Sequence, residues 1–184
     1  MAYWHERFDV RLFVPAAVAI AFASYAGAVR FDAIDAVARI VSSLALLAQF
    51  RLWDDLADRE RDRREHPNRV LVRLTDITPF AATCVWLGAF NLCTAAWHGG
   101  VANVCLLALL TAGGAIWYHS RPSIRSAATE MTLLAKYPLF VLILAGPPVA
   151  SVWMLGASAS AVYAAACAFE LWHDAASPLR VHNS

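Results

Sequence analysis

Asp54, Asp55, Asp58 and Asp62 stand close together in a chain that is otherwise mostly apolar. On a helix, positions 54, 58 and 62 follow one another at i, i+4, i+8, so their carboxylates share one face, and Asp55 borders it. Like charges stacked this way destabilise a helix unless positive charge lies among them. Two sources are available. One is the set of arginines in the same stretch, Arg51, Arg59, Arg61, Arg63, Arg64, Arg69 and Arg73; the other is a divalent cation. Aspartate is a weaker helix former than glutamate and a compact oxygen ligand for hard cations. These acids also begin where an apolar run ends, and acids there are costly unless they face a cavity or a partner. A solvated juxtamembrane helix whose acids each pair with an arginine is the competing reading.

The elements that must position these residues are membrane spans. The chain has 184 residues, a hydrophobic fraction of 60%, a charged fraction of only 16% and a mean hydropathy of +0.51. That composition is too apolar for a water-soluble domain and predicts an all-α polytopic transmembrane bundle in one domain. Apolar runs predict about six spans, at 12–29, 36–53, 77–97, 101–118, 129–155 and 157–172. His98-Gly99-Gly100 reads as a tight turn, Gly146-Pro147-Pro148 as a break in the fifth span, and the stretch 155–160 as a short link. The net charge of +1 offers no global basic field for nucleic acid. Cys84, Cys93, Cys105 and Cys167 all fall in apolar runs without ligand spacing, so they read as small buried or lipid-facing residues.

Charge bias orients the bundle. With the N-terminus in the cytoplasm, Arg7, Arg11, the seven arginines of 51–73, Arg121, Arg125 and Arg180 all fall on the cytoplasmic side. The far side then holds Arg30 and Arg39. Both termini are expected in the cytoplasm, in a protein of the inner or cell membrane.

The pattern D-D-x-x-D-x-x-x-D from Asp54 to Asp62, followed by His66-Pro67-x-Arg69-x-Leu71, resembles the first aspartate motif of the UbiA-type intramembrane prenyltransferases. In that family the motif reads N-D-x-x-D-x-x-x-D at the end of the second span, before a Pro-x-Arg-x-Leu-like tail. Asp54 stands where the family usually has Asn; Asp55, Asp58 and Asp62 match. The basic loop Tyr118-His119-Ser120-Arg121-Pro122-Ser123-Ile124-Arg125-Ser126 also looks like the family's linker between spans four and five. A second aspartate motif follows the sixth span in that family, and here the region contains Glu170 and Asp174 at i, i+4. The family usually has nine spans, so against it a six-span chain reads as a natural short relative, half of a two-subunit enzyme, a homo-oligomer that completes its cavity, or a fragment.

The resemblance implies a Mg²⁺-dependent transferase that ionises a prenyl diphosphate and passes the prenyl group to an acceptor whose identity the sequence does not specify. Asp55, Asp58 and Asp62 would be catalytic. Asp54, Asp55, Asp58, Asp62, Glu170 and Asp174 would hold metal, and Arg69, Arg121, Arg125 and Lys136 would bind the diphosphate. The alternative is a non-catalytic or partial membrane subunit that needs a partner chain. Lys136 also has an ordinary reading, since a lysine near a span end commonly snorkels to the interface. Asn91 and Asn103 read as interhelical hydrogen-bonding groups, and His66 as an exposed turn residue.

Overall fold

The computed structural model describes residues 2–120, 126–146, 149–173 and 177–179. Arg121, Arg125 and Asp174, expected at the site, lie outside them. Among the described residues the chain is helical with no strand, apart from an isolated bridge between Ala28 and Val149.

A short helix α1 (Ala2–Arg7) precedes α2 (Val10–Ala23), which Asp9 caps by accepting from the Arg11 N–H at 2.9 Å. At 1.5 Å per residue α2 is about 21 Å long, short of the ~30 Å apolar core of a bilayer. The first span is therefore shorter than the predicted 12–29, and the chain turns from Ser24 instead of continuing. α3 (Ala33–Ala57) starts at Asp32, whose carboxylate accepts from the N–H groups of Ile34 and Asp35 at 2.7 and 3.0 Å. Its 25 residues measure about 38 Å. The last turn, with Asp54 and Asp55, thus clears an apolar layer of about 30 Å. Two short helices follow, α4 (Arg59–Glu65) and α5 (Val70–Arg73), and His66 ends the first of them, exposed as expected.

α6 (Thr78–Ser120) is helical along 43 residues except at Gly100, whose φ of 63° and ψ of −148° reverse the chain. Only glycine enters that region without steric cost. The two arms return to the same end of the bundle. Near one end of α6 the Phe80 ring lies 5.2 Å from Tyr3, and near the other Tyr118 lies 5.2 Å from Trp53. The predicted turn at 98–100 is the structure found, and α6 supplies two passes.

α7 (Ala127–Leu134) opens on a reciprocal cap between Ser126 and Thr129, and α8 (Lys136–Leu144) continues it past Ala135. α9 (Val152–His173) closes the described bundle. It begins earlier than the predicted sixth span, and the stretch 155–160, expected as a link, lies inside it. The small residues there tolerate helix, since one glycine costs only about 1 kcal/mol relative to alanine. α8 ends at Leu144, just before Gly146, while Pro147 and Pro148, expected to break the fifth span, lie outside the described residues.

Four helical stretches are long and apolar enough to cross a membrane: Ala33–Ala57, Thr78–Ser120, Ala127–Leu144 and Val152–His173. α3 and α8 form the centre, where Leu46, Leu47, Phe50, Phe140, Ile143 and Leu144 pack with Ala17, Ile20 and Leu107. α6 and α9 keep apolar side chains such as Trp86, Leu109 and Trp153 outward. An outward apolar surface of this kind is a lipid-facing one, and the protein is an all-α membrane bundle. Inside it, Asn91 donates to the Gln49 side chain at 2.7 Å. Asn103 donates to the carbonyls of Ile143 and Ala145 at 2.7 and 2.9 Å. Both asparagines are the interhelical ties expected of them.

Candidate functional site

The run of aspartates survives the end of α3. Asp58 is the residue between α3 and α4, yet its backbone stays right-handed helical, its N–H donates to the Asp54 carbonyl at 2.9 Å, and the Asp62 N–H donates to the Asp58 carbonyl at 2.8 Å. The i, i+4, i+8 relationship therefore continues across the junction. Asp55 and Asp62 are buried, at 6% and 4% exposure, so their charges need partners.

Each of the four acids has a cation. Lys136 of α8 donates to Oδ2 of Asp54. Arg7 of α1 grips Asp55 with two guanidinium nitrogens, one of them Nε at 2.9 Å, and Tyr3 donates to the same carboxylate at 2.9 Å. Arg51 Nε adds a looser contact to Asp55 at 3.6 Å. Arg61 lies 3.7 Å from Asp58, and Arg69 2.5 Å from Asp62. Candidates from three separate stretches, 54–62, Arg69 and Lys136, thus meet at one end of the bundle.

α1 is fastened here by chemistry that spacing could not reveal. Tyr3 and Arg7 sit one turn apart and share Asp55, while Glu6 accepts from the Val70 N–H at 3.0 Å. Burial and the adjacent Asp55 charge push the Tyr3 phenol well above its ordinary ionisation range. For Arg7, burial works against the charge, but the bonds and charge of Asp55 outweigh it and raise its pKa. Tyr3, Glu6, Arg7, Asp55, Asp62, Arg69 and Leu71 line a cleft of about 200 Å³ counted to its open mouth. Only about 10 Å³ of it is enclosed space open to a water-sized group, room for roughly one water.

Below Asp54 lies an aromatic column. Trp53 packs on Tyr118 and on Phe50, at 5.2 and 5.7 Å, and Phe50 meets Phe140 at 5.2 Å, which in turn meets Tyr137 at 5.8 Å. Trp53 was not singled out, although it directly precedes the aspartate pair.

Glu170 lies near the end of α9, half-buried. α9 starts beside Gly27 and runs past Met131, whose carbonyl accepts from Tyr163 at 3.0 Å, so Glu170 comes to the same end as the aspartates. Among the described residues, no three His, Cys, Asp or Glu side chains gather closely enough to hold a metal by themselves. One open ligand position stands out: Asp54 Oδ1 is buried and has no hydrogen-bond partner, while its other oxygen holds Lys136. The chain matches no family model, no curated protein and no solved structure.

Proposed function

We propose that the charged end of the bundle binds the diphosphate head of a prenyl diphosphate, and that the protein is an intramembrane prenyl-transferring enzyme of the UbiA type. One observation carries this reading. Lys136 and Asp54 meet at the head of the column Tyr118, Trp53, Phe50 and Phe140, so a polar, cation-rich end sits directly on an aromatic apolar one. A prenyl diphosphate has the same division between head and tail.

Guanidinium groups suit phosphate oxygens because their fork donates two parallel hydrogen bonds. Arg69 and Arg7 line the cleft and would take the diphosphate at its mouth, with Lys136 adding a point charge beside Asp54. Mg²⁺ fits this donor set only in shared form, through one or two carboxylates plus the substrate's own oxygens. Neighbours in the run would hold it, Asp54 Oδ1 with Asp58 or Asp58 with Asp62, since Asp54 and Asp62 lie two turns apart. When bound, the ion neutralises charge on the leaving diphosphate. The aromatic column would exclude water from the allylic carbon and face its developing positive charge. In this reading the arginine bias puts the charged end in the cytoplasm.

A second reading has a specific observation behind it. Every aspartate of the run already has a basic partner, as in a membrane subunit whose charged end serves assembly. Binding of geranyl diphosphate to the purified full chain, with and without Mg²⁺, separates the two. Saturable binding that requires Mg²⁺ is expected; no binding at any Mg²⁺ concentration supports the subunit.

A further inference from the structure

The opposite end of the bundle holds a second buried cluster of ionisable groups, remote from the aspartate run. Arg39 of α3, 5% exposed, donates through Nε to Asp35 Oδ2 at 2.8 Å and through its terminal nitrogen to Ser24 Oγ at 2.9 Å. Its guanidinium also stacks 4.0 Å above the Tyr25 ring, and the Tyr25 hydroxyl donates to the same Asp35 oxygen. Asp35 Oδ2 is therefore fully engaged, while Oδ1 is directed elsewhere. It lies 3.3 Å from Nδ1 of His98, whose side chain is only 1% exposed. The other ring nitrogen, Nε2, lies 3.3 Å from Ser42 Oγ.

Counting protons along this row gives an unusual result. Ser42 has one hydroxyl proton, and its oxygen lies 2.8 Å from the Ala38 carbonyl, in position to donate to it. If the proton goes there, Ser42 can only accept from His98, so Nε2 must carry hydrogen. Nδ1, which is buried and has no well-aligned hydrogen-bond partner, then faces a carboxylate oxygen across 3.3 Å. A ring nitrogen without hydrogen and a carboxylate oxygen are both acceptors, and they face each other unfavourably across that gap unless a proton lies between them. If instead Ser42 turns its hydroxyl to Nε2, the ring is neutral with its hydrogen on Nδ1, on the side of Asp35 though not aligned for a hydrogen bond to it. Ala38 loses only an accessory bond, since serine back-bonding of this kind supplements the helix ladder.

We propose that Asp35, His98 and Ser42 form a proton-binding site at the far end of the membrane bundle, loaded and unloaded by rotation of the Ser42 hydroxyl. In the empty state the ring carries hydrogen on Nδ1 alone and Ser42 donates to Nε2. In the loaded state one further proton rests on Nε2, Ser42 turns its own hydrogen to Ala38, and the site gains one positive charge. Asp35, with its side chain 30% exposed, keeps the carboxylate beside Nδ1 in contact with water. The groups facing His98 are few. From α3 come Asp35, Arg39 and Ser42, and from the connection before α3 comes Tyr25, acting through Asp35. From the connection after α8, Gly146 offers only backbone, and a Cβ there would lie 2.6 Å from the His98 carbonyl oxygen. Intramembrane ionisable groups are expensive and are retained chiefly where charge or protons move. This cluster is independent of any diphosphate site.

The test is nitrogen NMR of the full chain in lipid nanodiscs with ¹⁵N-labelled histidine. The His98 signal is identified by its loss in His98→Gln among the six histidines. The expected result is one protonated nitrogen at Nδ1 at alkaline pH, changing to two protonated nitrogens as pH falls. In Asp35→Asn the second protonation is expected to need a medium about one pH unit more acid, because the anion that favours the cation is gone. Tyr25→Phe removes a partner of Asp35 without changing charge, and it covers the case in which Asp35→Asn does not fold; it should shift the transition less. A ring that stays singly protonated down to about pH 4.5, or a transition identical in both variants, overturns the proposal.

Discussion

Lys136 on α8 donates to Asp54 at the end of α3, eighty-two positions earlier in the chain, and both side chains are largely shielded from water, at 11% and 19% exposure. The pair ties the two central helices together at their charged end. It also fixes where the aromatic column begins. A lysine near a helix end usually reaches outward to the interface; this one reaches inward to a carboxylate.

Breaking that pair from one side should be costly. Lys136→Met leaves Asp54 buried beside an apolar group, and losing one partner of a buried pair costs about 3–5 kcal/mol. Thermal unfolding in detergent should fall by on the order of 10 °C. Lys136→Met with Asp54→Asn should recover at least half of the loss. If the double variant is no more stable than the single one, the pair is not the tie between α3 and α8.

The aspartate run carries the proposed diphosphate site, so Asp58→Ala or Asp62→Ala should weaken Mg²⁺-dependent geranyl diphosphate binding by at least tenfold, or about 1.4 kcal/mol. Glu60 and Glu65 pair locally with Arg63 and Arg61 on a more exposed part of α4. Their alanine variants should bind as the wild type does. Equal losses in all four would point to general damage instead of a metal-sharing face.

Arginine placement predicts the orientation. A cysteine introduced at position 75 should react with an impermeant label from the cytoplasmic side, and one at position 99 only from the opposite side. The reverse pattern would move the aspartates out of the cytoplasm.

Tyr25 gives a pH dependence with a definite sign. Its phenol is pushed up to about 12 by partial burial and by its bond to Asp35, whereas an unfolded tyrosine ionises near pH 10. The folded state therefore holds this proton more tightly. Its contribution to stability is complete below about pH 10 and is lost as pH rises through about 12. Alkaline absorbance titration should show that Tyr25→Phe removes a tyrosinate signal only above about pH 11. Loss of signal centred near pH 10 would mean that the Asp35 bond does not form.

Much of the charged end could be read from spacing, because helical periodicity is local. Asp54, Asp58 and Asp62 share a face by arithmetic alone, and Gly100 marks its turn by residue type. Tyr3 and Arg7 could not be connected with Asp55 in this way, since that contact joins residues 48 and 52 apart and depends on how α1 folds back over α3. The stretch 155–160 looked like a link because small residues suit loops in water, yet against neighbouring helices they suit close packing equally well. Asp35 and His98 lie 63 positions apart, one at a helix start and the other beside a turn. Nothing in either neighbourhood announces the other.

The reversal at Gly100 takes almost no chain to accomplish. Opposite the aspartates, the bundle presents little more than this turn, the segment 24–32 and the segment joining α8 to α9. At the other end lie α1, α4, α5 and the stretches that join them. A protease, an antibody or a soluble protein approaching from the Gly100 side therefore has hardly anything to hold. Cleavage mapping on right-side-out and inverted vesicles should be lopsided for that reason, with nearly every accessible peptide bond on the aspartate side.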